Sequence, residues 1–147
     1  MVDNKNKTLL IRANLIMIAM VLVHDADHIR QAYCWDYTIP LLVWIVNISV
    51  YTPSFIALYL IKKNKNSAST ATVVNGLLVA AAFSEVHLLG PTFPVWGIWN
   101  KNFFILGADA ISWTILAVTV AVGVGVSLTG NFVRGRLSVS NKSRQYE

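Results

Sequence analysis

Charge is scarce in this sequence: 7 acidic and 12 basic side chains among 147 residues, 13% in all, against 55% apolar. A soluble domain carries about twice that charged share. The scarcity, with a mean hydropathy of +0.55, places the chain among integral membrane proteins and gives it one domain by length. Cysteine is rarer still. Cys34 stands alone, which excludes an intrachain disulfide and the cysteine-rich zinc and iron–sulfur motifs. Lys5, Lys7 and Arg12 ahead of an apolar run imitate a secretory signal, but no Ala-x-Ala-like cleavage site follows. The residues before Cys34 likewise lack a lipoprotein processing pattern. We therefore read that run as an uncleaved first span. Also missing are a motif context for a nucleophilic triad, a phosphate loop and a nucleotide fold. Glu85-Val86-His87 does not supply the paired histidines of a zinc-protease motif. The net charge of +5 requires no nucleic-acid partner, because membrane proteins gather Lys and Arg in their cytoplasmic loops.

What is present is apolar length. A spanning helix needs about 20 predominantly apolar residues, and four stretches supply them: Leu9 to His28, Ile39 to Ile61, Ala71 to Leu89 and Phe103 to Leu128. Pro53 inside the second removes a backbone hydrogen bond and bends the helix. Gly90-Pro91 ends the third. The positive-inside rule then puts Lys5, Lys7 and Arg12, the Lys62-Lys63-Asn64-Lys65 turn and the tail with Arg134, Arg136, Lys142 and Arg144 on the cytoplasmic side. Only Arg30 and Lys101 remain for the outer side. Gly76, Ala80 and Ser84 in span three, and Ala117, Ala121 and Gly125 in span four, recur at four-residue spacing. Such rows let helices approach closely in lipid, so these two spans are expected to pack together. Asn47, Ser49, Thr52 and Asn75 are expected to be interhelical hydrogen bonders. The aromatics Phe93, Trp96, Trp99, Phe103 and Phe104 suit the headgroup level, in a loop long enough to cap the bundle end.

The densest polar feature is His24-Asp-Ala-Asp-His-Ile-Arg-Gln31, which directly follows the first apolar run. Ionisable groups at membrane depth cost a few kcal/mol on insertion scales, so they persist where they pair, line a cavity or hold an ion. His24, Asp27, His28 and Gln31 fall within about 100° of helical arc. Asp25 and Arg30 point elsewhere. A histidine pair at i, i+4 can bind one metal from one helix, with Asp27 as a third ligand or as an acceptor that orients an imidazole. The topology brings His87 and Glu85 of span three and Asp109 of span four to the same outer end, as helix bundles do when they build metal sites. Glu85 and His87 lie two positions apart and cannot both face the core of an ideal helix; Gly90 and Pro91 favour an unwound end, with His87 as a ligand and Glu85 as an inward carboxylate. Three readings of the cluster are open: a metal site, a salt-bridged helix end whose histidines bond Asp109 or Ser112, and a proton or ion relay.

Three segments, the His-Asp-x-Asp-His-x-Arg-Gln run, Val86-His87-Leu88-Leu89 and Asp109-Ala110-Ile111-Ser112-Trp113, resemble a family of small four-span bacterial and archaeal membrane proteins of uncharacterised function. The resemblance implies a fold and no activity. The Lys-, Asn- and Ile-rich character also resembles proteins of ammonia-oxidising archaea, whose copper membrane monooxygenase carries small accessory helical subunits. That resemblance implies an accessory role in packing, assembly or metal handling. The sequence thus leads us to expect an all-α, integral membrane four-helix bundle, multi-pass in the cell membrane with both termini cytoplasmic, comprising a four-span domain over 1–130 and a basic cytoplasmic tail over 131–147. We expect a metal ion (copper, zinc or iron) held through His24, His28, Asp27, Asp109, His87 and Glu85, with no residue nominated as catalytic. The expected partners are the bilayer and larger membrane-protein subunits of a redox complex.

Overall fold

The structure, a computed structural model, describes residues 4–90 and 101–143, with side chains as far as 138. Among the described residues every regular element is helical: α1 (Asn4–Cys34), α2 (Leu41–Ser49), α3 (Thr52–Lys62), α4 (Ser67–Ser84), a π-helical turn (Glu85–Leu89), α5 (Phe103–Leu106) and α6 (Ala110–Ser143). Four stretches are long and apolar enough to cross a membrane: Asn4–Cys34, Leu41–Lys62, Ser67–Leu89 and Ala110–Ser138. The all-α four-span architecture is the one the sequence announces.

Two local differences have clear causes. The fourth span starts at Ala110 and not at Phe103, because Gly107, at φ 64°, terminates the short α5 in the left-handed region, where glycine carries no Cβ penalty. The second span is two helices. Proline at 53 has no N–H for the carbonyl of Ser49, and its ring crowds that carbonyl, so the helix interrupts at Val50–Tyr51 and restarts with Pro53 in the first turn of α3. α3 packs on α1 and α4, whereas α2 stands off from the bundle and buries only Val43.

The core is built on 3–4 spacing, the pattern of helices that pack side by side along their length. On α1 the buried seam is Leu10, Asn14, Met17, Val21, His24, His28 and Gln31. On α6 it is Ser112, Leu116, Thr119, Gly123, Val126, Gly130 and Val133. α4 and α6 make the most extensive pairing, as expected from their small residues. The row on α6 is different from the expected one, however. Ala117, Ala121 and Gly125 face outward, and the contact runs through Gly123 and Gly130. A Cβ on Gly76 would run into the Gly123 carbonyl and the Ser127 backbone, and one on Gly130 would meet the Val73 N–H and the Ser69 carbonyl. Those glycines are what lets the two backbones touch. α6 stays helical beyond Gly130 to Ser143, where Val133 packs with Leu10, Ile61 and Ala68.

Polar groups inside the bundle fall into two layers. Near one end, Asn14, Ser54, Thr72 and Asn75 bond to one another across α1, α3 and α4. About 15 Å further along α1, by the helical rise, lie His24 and His28. An apolar plug that includes Met17, Val21, Val79 and Leu116 separates the layers. Of the residues expected to bond between helices, Asn75 does so, Ser49 bonds back to Val46 within α2, and Thr52 is exposed. The outward faces are apolar, with Leu15, Ile16, Leu22, Ile48, Phe55, Leu77 and Leu128 all exposed, a surface suited to lipid. Lys7 reaches Asn64 at 3.2 Å, so the start of α1 and the basic α3–α4 turn share one end of the bundle, opposite the histidines.

Candidate metal centre

Two histidines come from one helical face and the third from a defect. His24 and His28 lie one turn apart in the α1 seam. His87 sits in the π-turn, where Gly90 N–H bonds the Glu85 carbonyl at 3.1 Å across five residues in place of the usual four. Gly90 then leaves the helix at φ 93°, and Pro91, next in sequence, has no N–H with which to continue the ladder. The turn aims His87 into the bundle and leaves Glu85 exposed. Of the two alternatives at this helix end, the structure places the imidazole inward and the carboxylate outward. Two positions apart, they remain on opposite faces.

His24, His28 and His87 are 2%, 7% and 6% exposed, and one nitrogen of each lies within 4.8 Å of the others. The hydrogen bonds fix the tautomer of His87 and tie that of His24 to the rotor of Thr119. His87 Nδ1 is 2.8 Å from the Phe83 carbonyl, which can only accept, so Nδ1 carries the hydrogen and Nε2 carries the lone pair. With its single hydrogen on the Ile115 carbonyl at 2.7 Å, Thr119 Oγ1 accepts from His24 Nδ1 at 3.3 Å; with that hydrogen turned to Nδ1, His24 Nε2–H donates to His87. In the first of these arrangements His24 Nε2 is also a lone pair. These two Nε2 atoms face each other at 3.1 Å. Lone pair against lone pair is repulsive, and what relieves it is an electrophile between them, either a metal ion or a shared proton. The spacing suits a metal, since tetrahedral zinc with bonds of about 2.0–2.1 Å holds its imidazole nitrogens roughly 3.3 Å apart. His28 would have to swing in by about 1–2 Å to join on the same geometry. Phe83 and Phe103 wall the site, with Phe83 edge-on to His24 at 4.4 Å and Phe103 edge-on to His87 at 4.6 Å between centroids.

The expected carboxylates are placed elsewhere. Asp27 is buried on the histidine face, but its oxygens accept from Arg30 at 2.7 Å and Gln31 at 2.8 Å. Arg30 does not point away, as the helical wheel suggests; its long side chain folds back and reaches α6, where it grips both oxygens of Asp109 at 2.8 and 2.9 Å and the Ser112 hydroxyl at 2.8 Å. Asp109 also caps α6, accepting from Ser112 N–H at 3.0 Å. Its hydrogen bonds from Arg30, and then from Ser112, hold its carboxyl below the ordinary 3.8, at about 2. Asp25 accepts from Tyr51 at 2.5 Å. The salt-bridged helix end therefore exists, as an Asp27–Arg30–Asp109 latch between α1 and α6, beside the histidines. His24 and His87 bond Thr119, the Phe83 carbonyl and each other.

Sequence reasoning missed Thr119, the Arg30 reach, and the inward Phe103, which is 3% exposed and no interfacial anchor. Thr119 was findable, since it lies on the 3–4 row that runs back from Gly123. Phe93, Trp96 and Trp99 fall outside the described residues. Cys34 is exposed and remote from this chemistry. Comparison with known proteins returned no matching family model, no matching curated protein and no matching solved structure.

Proposed function

We propose that this chain is a metal-binding membrane protein that serves as a non-catalytic accessory subunit of a membrane redox complex. The observation that carries the metal reading is the pair of Nε2 atoms facing each other at 3.1 Å, each ring held through its other nitrogen, with His28 alongside. Second partners of this kind are what orient metal-bound imidazoles. An all-imidazole donor set suits copper, zinc or iron, and three protein ligands leave a further coordination position open. Such an ion would supply Lewis-acid or electron-transfer chemistry. The chain's own residues would position it: Thr119 and the Phe83 carbonyl set the rings, the phenylalanines exclude water, and the Asp27–Arg30–Asp109 latch holds α1 against α6. The redox-complex role rests on the resemblance to accessory subunits of the archaeal copper monooxygenase. The apolar outer faces suit both lipid and a larger membrane subunit. By the positive-inside rule the basic end, with both termini, is cytoplasmic and the histidines lie toward the outer face.

A relay would place a shared proton where the metal reading places an ion. Met17 and Val21, fully buried between the asparagine and histidine layers, interrupt any wire along α1, so we favour the metal.

The test is purification from native membranes in detergent without a histidine tag, elemental mass spectrometry, and identification of co-purifying proteins. Near-stoichiometric copper, zinc or iron, lost in His24→Ala while helical content is kept, is the expected result. Metal no higher than in His24→Ala would overturn the metal reading. Bound zinc without any co-purifying redox subunit would remove the redox-complex role and leave the metal site standing.

A further inference from the structure

Beside the histidines lies a cavity of about 120 Å³ that the metal reading leaves unused. It exists because α2 stands off from the bundle above the Pro53 break. His28 and His87 form its inner wall, Val43, Val46 and Asn47 of α2 its outer wall, and Phe103 its end. Val46 and Val86 flank it and are exposed on spanning segments, so it opens at membrane depth, with Lys101 alone bringing a charge to the rim.

We infer that this cavity is a binding site for a small, neutral, largely apolar molecule with a nitrogen or oxygen lone pair, which enters from the bilayer and reaches the open coordination position of the metal held by the histidines. The inference deepens the proposed metal site and rests on it. Volume limits the ligand: an apolar cavity of about 150 Å³ takes benzene, so this one takes about six non-hydrogen atoms. Lining decides its polarity. The walls are mostly aliphatic and aromatic, and a charged molecule would lose its hydration there without compensation. Asn47 Nδ2 is a buried donor with no hydrogen-bond partner among the described residues. It gives the ligand one hydrogen-bonding point on the wall opposite the histidines. The exposed side of α2 does not restrict entry, since Val46 faces lipid in which such molecules concentrate.

The experiment uses the full chain in lipid nanodiscs, loaded with Co²⁺ so that the visible spectrum reports coordination. Cobalt stoichiometry is measured first, which tests the metal reading independently. Pyridine, neutral with six non-hydrogen atoms and one lone pair, is then titrated against azide, a small anion. We expect pyridine to perturb the cobalt spectrum at concentrations at least tenfold lower than azide. Val46→Trp, which fills the mouth from an exposed position, should retain cobalt and raise the pyridine concentration needed by tenfold or more. Bound cobalt with no pyridine response, azide acting as well as pyridine, or an unchanged response in Val46→Trp would each overturn the inference while leaving the metal site in place. A lipid chain that fills the cavity would also show as no pyridine response, and counts against it.

Discussion

The bundle buries two polar layers, and they differ in what their hydrogen bonds join. In the asparagine layer each amide N–H₂ meets acceptors: Asn14 Nδ2 bonds Leu10 O and Thr72 Oγ1, both at 2.9 Å, and Asn75 Nδ2 bonds Asn14 Oδ1 and Ser54 Oγ, also at 2.9 Å. Thr72 in turn donates to Ala68 O at 3.0 Å. Such a network is helix-to-helix glue. In the histidine layer the outer nitrogens lie 3.3 Å from Thr119 Oγ1 and 2.8 Å from the Phe83 carbonyl, and the inner ones face each other at 3.1 Å. One layer joins amide donors to oxygen acceptors and leaves only the acceptor Asn75 Oδ1 without a partner among the described residues of that layer, and the other sets two ring nitrogens against each other. Burial alone, equal in the two, would not have told them apart.

The sharpest way to break this comparison is to alter each layer and read both metal and stability. His87→Ala removes one of the two facing nitrogens. Metal affinity should fall by two orders of magnitude or more, measured by competition with a chelator, while the helical signal persists. If His87→Ala binds metal as before, the metal is not held between the facing nitrogens. Gly76→Ala acts between the layers, where a Cβ meets the backbone of α6. Overpacking of that kind costs about 1–3 kcal/mol, and because α4 carries both Asn75 and the turn holding His87, this variant should lose stability and metal together.

How far the sequence foretold this arrangement depends on whether the determining physics is local. Span number and length are sums over apolar runs, so the four helices were legible. His24 and His28 were legible because i, i+4 is a rule of one helix. His87 was legible as a candidate only through Gly90 and Pro91, and its inward aim comes from a π-turn that no periodicity encodes. The partners of the carboxylates were not legible, for a nonlocal reason. The grip of Arg30 on Asp109 joins residues 79 positions apart, and helical phase says nothing about how far a guanidinium can fold back. The small-residue row on α6 was taken at four-residue spacing, whereas packing follows the 3–4 alternation that also carries Thr119 to His24.

Asn75→Ala probes the asparagine layer. It leaves Asn14 Oδ1 without its donor and removes the bond to Ser54, a loss of about 1–2 kcal/mol for a buried polar group left unmade, toward the low end because membrane interiors offer alternative partners. Reversible unfolding in mixed micelles measures it, and metal content should not change. A fall in metal would mean that the two layers are coupled through the apolar plug.

The smallest effect, and the one that separates latch from centre, is expected at Asp109. Asparagine in its place keeps an oxygen to cap α6 at Ser112 and removes only the charge that Arg30 grips. In the folded protein the carboxyl titrates at about 2, below its ordinary 3.8, so the folded state binds this proton less readily than the unfolded chain. The stabilisation is therefore fully present above the ordinary value and is lost as pH falls through the folded one. The melting temperature of the wild-type protein should exceed that of Asp109→Asn by a small, constant margin from neutral pH down to about 5, and the margin should shrink to nothing near pH 2. Because the pair is largely solvent-exposed, added salt should narrow the margin at every pH. Metal content at neutral pH should be the same in both proteins, since neither Asp109 oxygen is offered to the histidines. Metal lost with the charge alone would move Asp109 from the latch into the centre.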